Sequence, residues 1–197
     1  MKLFKILLLS LSITAAHAQS YNDSIRAFRK KYAAELLEGN RAPLKSAQLG
    51  GLNFFKPDRS YSVWATLTIT PGSVPFMIET HSGKKKPFRQ YGVLTFSIHD
   101  TTLSLQVYQG INLIQDDIHK DDLFVPFYDD TNYELTYAGG RYIDLSLKDV
   151  KDNKILLDFN KCYNPYCAYT DGYSCPVPPR ENRLEMAIMA GEMLFQQ

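Results

Sequence analysis

The chain has 197 residues, is 45% hydrophobic and carries a formal net charge of +1. Such a composition excludes an intrinsically disordered chain, and the near-neutral balance lacks the basic footprint of a nucleic-acid binder. The length suits one domain with a sizeable core, and no internal repeat, low-complexity tract or linker divides it.

The amino terminus combines Lys2 and Lys5 with an apolar run from Ile6 to Ile13 and the small-residue exit Ala16-His17-Ala18. These are the three parts of a secretory signal, predicted to be cleaved after Ala18. The run is interrupted by Ser10, Ser12 and Thr14 and falls short of the roughly 20 apolar residues that span a bilayer. No cysteine at the cleavage point indicates a lipid anchor. The expectation is export to the periplasm or the exterior, no integral membrane segment after cleavage, and a single β-rich domain over residues 19–197. Loss of residues 1–18 removes two lysines and no acid, which brings the net charge to −1.

Residues 23–38 place Ile25, Phe28, Tyr32, Leu36 and Leu37 on one helical face, followed by Gly39 as a cap. This amphipathic helix is expected to pack on a sheet. From Tyr61 the period changes to two: Tyr61, Val63, Ala65, Leu67 and Ile69 alternate with polar residues and Trp64 up to Thr70. Further strands are predicted over 76–80, 88–98, 102–108, 123–127, 135–137, 141–147 and 154–159. His99-Asp100-Thr101 reads as a tight hairpin, and Lys84-Lys85-Lys86 between Gly83 and Pro87 as a solvated turn. Many short strands without intervening helices predict an antiparallel barrel or sandwich. The tail returns to a helical pattern: Asn182 and Glu185 have capping-box spacing, and Leu184, Ala187, Ile188, Gly191, Leu194 and Phe195 share a face. The predicted class is therefore mainly β, flanked by an N-terminal and a C-terminal α-helix.

Two segments are candidates for chemistry. Residues 158–182 hold all three cysteines, four of the thirteen tyrosines and four prolines, with little periodicity. They read either as a functionally loaded loop or as a plug whose tyrosines fill space. Cys162, Cys167 and Cys175 fit no common zinc spacing, and no metal or cofactor is predicted. For an exported chain two of them form a disulfide by default. Cys167–Cys175 is favoured, closing a short loop across Asp171-Gly172 and leaving Cys162 half-buried at a strand end. The mature histidines His81, His99 and His119 lie far off in sequence, so a Cys–His nucleophile has no local support. The second segment joins Asp129, Asp130 and Thr131 to Gly139-Gly140-Arg141-Tyr142 and Asp144. The paired glycines permit a tight bend or a close backbone approach. Arg141 can clamp an anionic ligand or, as the stronger reading, pair with Asp144 or Asp158 as a brace.

The motifs Tyr91-Gly92, LFVPFYDDTN (123–132), TYAGGRYIDL (136–145), LDFNKCYNPYCAY (157–169), YSCPVPPREN (173–182) and AGE (190–192) occur in this order. Together they resemble a widespread bacterial and archaeal family, domain of unknown function 1684, across nearly all of the mature chain. The resemblance implies one domain from the first helix to the last and no established activity. It also implies that Cys167 and Cys175 belong to the motif, whereas Cys162 stands where a small residue is expected. A redox or ligand role for the two motif thiols stays open.

Three readings follow. The first is a small-molecule-binding module whose site gathers Arg141, Tyr142, Asp158, Asn160, Asn164, Tyr166 and Tyr173 at one end of the sheet. The second is an enzyme of hydrolase-like acid–base chemistry drawing on Asp129, Arg141, Asp144, Asp158, Tyr166, Cys167, Tyr173, Glu181 and Glu192, although no G-x-S-x-G, H-E-x-x-H or phosphate loop is present. The third is a structural or interaction protein of the cell envelope. The sequence sets neither the oligomeric state nor the strand order.

Overall fold

A computed structural model describes the backbone of residues 2–196 and the side chains of residues 19–196. The secretory signal expected over residues 1–18 falls outside the described side chains. Helix α1 spans Lys2–Glu35. Among the described residues, no helix is long and apolar enough to cross a membrane.

The two-residue alternation builds one antiparallel sheet from β1 (Ser62–Ile69), β2 (Phe76–Glu79), β3 (Lys85–Ile98), β4 (Thr101–Gly110), β5 (Asp122–Phe127), β6 (Arg141–Ser146) and β7 (Lys154–Asp158). The order is β6-β5-β4-β3-β1-β7, with β2 paired to the first part of β3. The sheet curls into a half-barrel whose two free edges are β6 and β7. Its concave face is filled, not hollow: Ala65, Leu67, Leu94, Leu105, Val125, Phe127, Ile143 and Leu157 pack against Phe159, Leu184, Ile188 and Ala190. Burial of each Val, Leu, Ile or Phe side chain among them stabilises the fold by roughly 1.5–3 kcal/mol. His99 and Asp100 take positive φ in a two-residue turn between β3 and β4, as the hairpin reading expects. Lys85 and Lys86 belong to β3 and not to the turn, because Ser82-Gly83 already reverses the chain.

The helix at the amino-terminal end is present: its Tyr21 hydroxyl donates to Asp158 at the end of β7, and its apolar face meets neighbouring loops. Tyr32 and Leu36 meet Leu44, Tyr169 and Phe195 in a second apolar cluster. The helix ends at Glu35, and the chain turns at Gly39.

Among the described residues, no α-helix forms at the carboxyl end. Residues 183–196 run as an irregular strap beneath the half-barrel, bridging Tyr128 to Arg183 and Phe54 to Glu192. The physical reason is competition for backbone groups. The carbonyls of Ile188, Ala190 and Glu192, which a helix would bond internally, all accept from the Arg141 guanidinium. The amide of Glu192 donates to Cys162, and that of Leu194 to Leu135. Gly191 sits at φ +79°, where a Cβ would overlap Cys162 Sγ and lie 2.6 Å from the carbonyl of Phe159. Asn182 caps nothing: fully buried, its side chain bonds both backbone groups of Gln106 and the carbonyl of Pro126, stitching β4 to β5 where the ladder is sparse.

The strand expected at 135–137 is also replaced. Asp129 Oδ1 accepts from the amide and hydroxyl of Thr131, and Asn132 Oδ1 accepts from the amide of Asp129. These side-chain bonds wind 129–136 into turns instead of a ladder.

Candidate functional site

Strand β6 presents two chemically different faces. Arg141 and Ile143 point into the half-barrel, whereas Tyr142 and Asp144 point out of it.

On the inner side Arg141 is 0% exposed and pairs with Asp129 Oδ2 at 2.7 Å. The partner is neither Asp144 nor Asp158. Asp144 lies three positions along the strand, on the opposite face. Asp158 Oδ1 is occupied by the Tyr21 hydroxyl and by the amide and side chain of Asn160. Gly140, at φ +83°, lets the chain enter β6 against Phe127 and Pro178; a Cβ there would sit 2.7 Å from each. Beside this brace lies Glu192, which accepts from Tyr32, Tyr169 and the Asn164 amide. Burial pushes its pKa up to about 7 against those bonds. Cys162 is fully buried, not half-buried, and desolvation raises its thiol to about 11, far from a thiolate nucleophile.

On the outer side the segment 163–177 forms an arch. Tyr163 exchanges both backbone hydrogen bonds with Tyr142 at the β6 edge. At the other end the Val177 amide bonds the carbonyl of Glu79, placing the segment alongside β2. The Tyr142 hydroxyl donates to the carbonyl of Pro176, and the disulfide Cys167–Cys175 draws the arms of the arch together.

Under this arch lies a groove of about 430 Å³. Its floor is Phe88, Phe124 and Tyr142, with Phe124 and Tyr142 edge-to-face at 4.8 Å. Its roof is Pro165, Tyr166, Tyr173, Ser174 and Pro176, with the Tyr166 and Tyr173 rings 5.1 Å apart. A second groove, of about 440 Å³, runs between the edges β6 and β7 under helix α1, lined by Phe28, Glu35, Asp149, Leu156 and Asp158 among others. The two meet at Asp144, Tyr163 and Tyr166, which line both.

Asp144 is open to the groove yet crowded by its walls, and the loss of hydration raises its pKa against the opposing bond from Tyr163. Tyr163 Oη donates to Asp144 Oδ2 at 2.6 Å. Burial raises the Tyr163 pKa well above the ordinary tyrosine value, so its hydroxyl remains a donor.

The residues expected to converge thus separate. Tyr142, Tyr166 and Tyr173 line the arch groove and Asp158 the adjoining one, while Arg141, Asn160 and Asn164 are fully buried in the scaffold. Asn164 donates to the carbonyl of Met193, and Asn160 holds residue Asp58. Of the enzyme candidates, Asp144, Tyr166 and Tyr173 line the arch groove and Asp158 the adjoining one, whereas Asp129, Arg141 and Glu192 are internal, Cys167 is disulfide-bonded, and Glu181 is on an exposed turn. Among the described residues, no three His, Cys, Asp or Glu side chains are placed to hold a metal ion. Tyr163, Phe124 and Lys86 are site residues that the sequence reading misses, Lys86 being assigned there to a solvated turn. Phe124 carried a signal, since in LFVPF it occupies the alternate positions to Leu123, Val125 and Phe127.

The family model described as protein of unknown function (DUF1684) matches residues 47–193. The chain belongs to this family. Its span runs from the turn after α1 to the strap, so the Arg141 brace, the arch and the floor of its groove are all DUF1684 structure. The chain is also similar to an uncharacterized protein of Haloarcula marismortui, known from a solution NMR structure. That likeness has 30% identity and a TM-score of 0.68, covering 90% of this chain and 96% of the other. No curated protein matches the chain.

Proposed function

We propose that this DUF1684 chain is an exported binding protein that takes a small molecule into the groove under the 163–177 arch. The observation that supports this is the contrast between the two faces of β6: the inner one is filled, whereas the outer one keeps an aromatic-walled space of about 430 Å³. That volume lies in the range of ordinary ligand pockets, and an apolar lining with few polar groups is their usual chemistry. Six rings bound it: Phe88, Phe124, Tyr142, Tyr163, Tyr166 and Tyr173. Two charged side chains, Asp144 and Lys86, supply polarity.

Export to the periplasm or exterior is supported by the amino-terminal pattern and by the disulfide, a bond that persists in oxidising compartments. Fractionation followed by amino-terminal sequencing tests it: a chain beginning at Gln19 outside the cytoplasm is expected, and full-length chain retained inside contradicts it.

Binding is tested by a thermal-shift screen of a small-molecule library, with each hit repeated on Tyr166→Ala and Phe124→Ala. Hits are expected to raise the melting temperature of the parent protein and to lose most of that shift in both variants. A screen without hits, or hits indifferent to both substitutions, contradicts the reading.

A further inference from the structure

Of the two charged groups on the arch groove, only Asp144 stands where both grooves meet. Among the described residues it has no ion-pair partner within 4.0 Å, and its one hydrogen-bond donor is neutral Tyr163, bonded to Oδ2. Its other oxygen, Oδ1, has no such bond. Lys86 does not neutralise it: they sit on β3 and β6, with two strands between them and each spacing about 4.8 Å. In the adjoining groove Asp149 and Glu35 add negative charge, against Lys161 as the one basic side chain of its lining.

Around Asp144 stand Tyr163 and Tyr166, with Tyr142 and Phe124 beside them on the floor. Aromatic faces carry negative electrostatic potential and attract cations that have shed part of their hydration. A carboxylate without a counter-ion, set among aromatic side chains in a confined groove, is the complement of an organic ammonium group. An anionic ligand would meet like charge at that position. A neutral one would leave the carboxylate partly desolvated and without a counter-charge.

We infer that the ligand class is a small organic cation whose ammonium group sits at Asp144, enclosed by Tyr163 and Tyr166, with its apolar body under the arch. This rests on the binding reading above and narrows it.

The test uses choline and its neutral carbon isostere, 3,3-dimethylbutan-1-ol, titrated separately into the isotope-labelled protein and followed by NMR. Choline is expected to move the resonances of Asp144, Tyr163 and Tyr166, with the isostere binding at least tenfold more weakly. Asp144→Asn, which keeps shape and removes charge, is expected to weaken choline at least tenfold. Should that variant fold poorly, Tyr166→Leu, which removes a ring face but no charge, is expected to weaken choline more than the isostere. Equal binding of both compounds, or choline binding indifferent to these substitutions, overturns the cation class and leaves the groove as a small-molecule site. No shift at the groove residues with either compound also overturns it, and the library screen then decides the broader reading on its own.

Discussion

Asp129, paired to Arg141 on the inner face of β6, and Asp144, on its outer face, show two uses of a carboxylate. Asp129 is buried and fully engaged: Oδ2 receives Arg141, while Oδ1 receives Thr131 and the amide of Ile188. Asp144 receives a single neutral hydroxyl and faces open space. A desolvated charge persists only when its partners repay the hydration it has lost, and Asp129 has them. Asp144 has kept part of its hydration instead, which leaves it available to something from outside. The lesson is that one face of β6 is committed to folding and the other is not.

The largest expected effect comes from breaking the committed side. Arg141→Met leaves Asp129 buried without its counter-charge and frees the carbonyls of Ile188, Ala190 and Glu192. Losses of this kind cost about 3–5 kcal/mol, so urea unfolding is expected to show a fall of that size or a chain that does not fold. A loss below about 1 kcal/mol contradicts the brace.

Next is Glu192, on the same buried side. Its folded pKa of about 7 lies above the ordinary glutamate value of 4.5, so the fold favours the protonated form. Below pH 4.5 both folded and unfolded states are protonated and no penalty exists. Between there and pH 7 the folded state holds the extra proton, so stability falls as pH rises, by about 3 kcal/mol in all. Tyr32, Tyr169 and the Asn164 amide face this carboxyl, and Arg141 is the cation nearby. Glu192→Gln is expected to flatten this dependence in denaturation curves measured from pH 4.5 to 8; an unchanged slope rules out Glu192 as its source.

Removing the disulfide sharpens the comparison from the arch side. The two cysteines are eight residues apart, so Cys167→Ser with Cys175→Ser is expected to cost about 2.5 kcal/mol by loop-closure entropy. Ligand affinity is expected to fall beyond what stability accounts for, since the arms that the bond joins form the roof. Calorimetric titration of choline well below the unfolding transition separates the two effects.

The sequence revealed the elements whose side chains alternate against one continuous core. Tyr61–Leu67 is legible because Tyr61, Val63, Ala65 and Leu67 meet the same interior, whereas Ile69 continues the pattern but is exposed. The strap at 183–196 is not: Leu184, Ile188 and Phe195 recur at helical intervals, yet Leu184 and Ile188 enter the half-barrel core while Phe195 joins the separate cluster beside α1, and the backbone between them is held by Arg141. That outcome depends on a side chain more than forty positions away, which no local period encodes. The site was legible in part for a similar reason. Tyr142, Tyr166 and Tyr173 stood out by composition, whereas Arg141 and Asn160 shared their motifs but serve the scaffold. Charge and motif alone do not tell the inward face of a strand from the outward one.

The smallest stability effect and the most direct test coincide in Asp144→Asn. Denaturation and choline titration on the same preparation are expected to show stability within about 0.5 kcal/mol of the parent, as for a side chain in an open groove, and affinity at least tenfold weaker. A variant that unfolds readily while binding choline as tightly as the parent would place Asp144 among the scaffold residues and contradict the division of β6 into a folding face and a binding face.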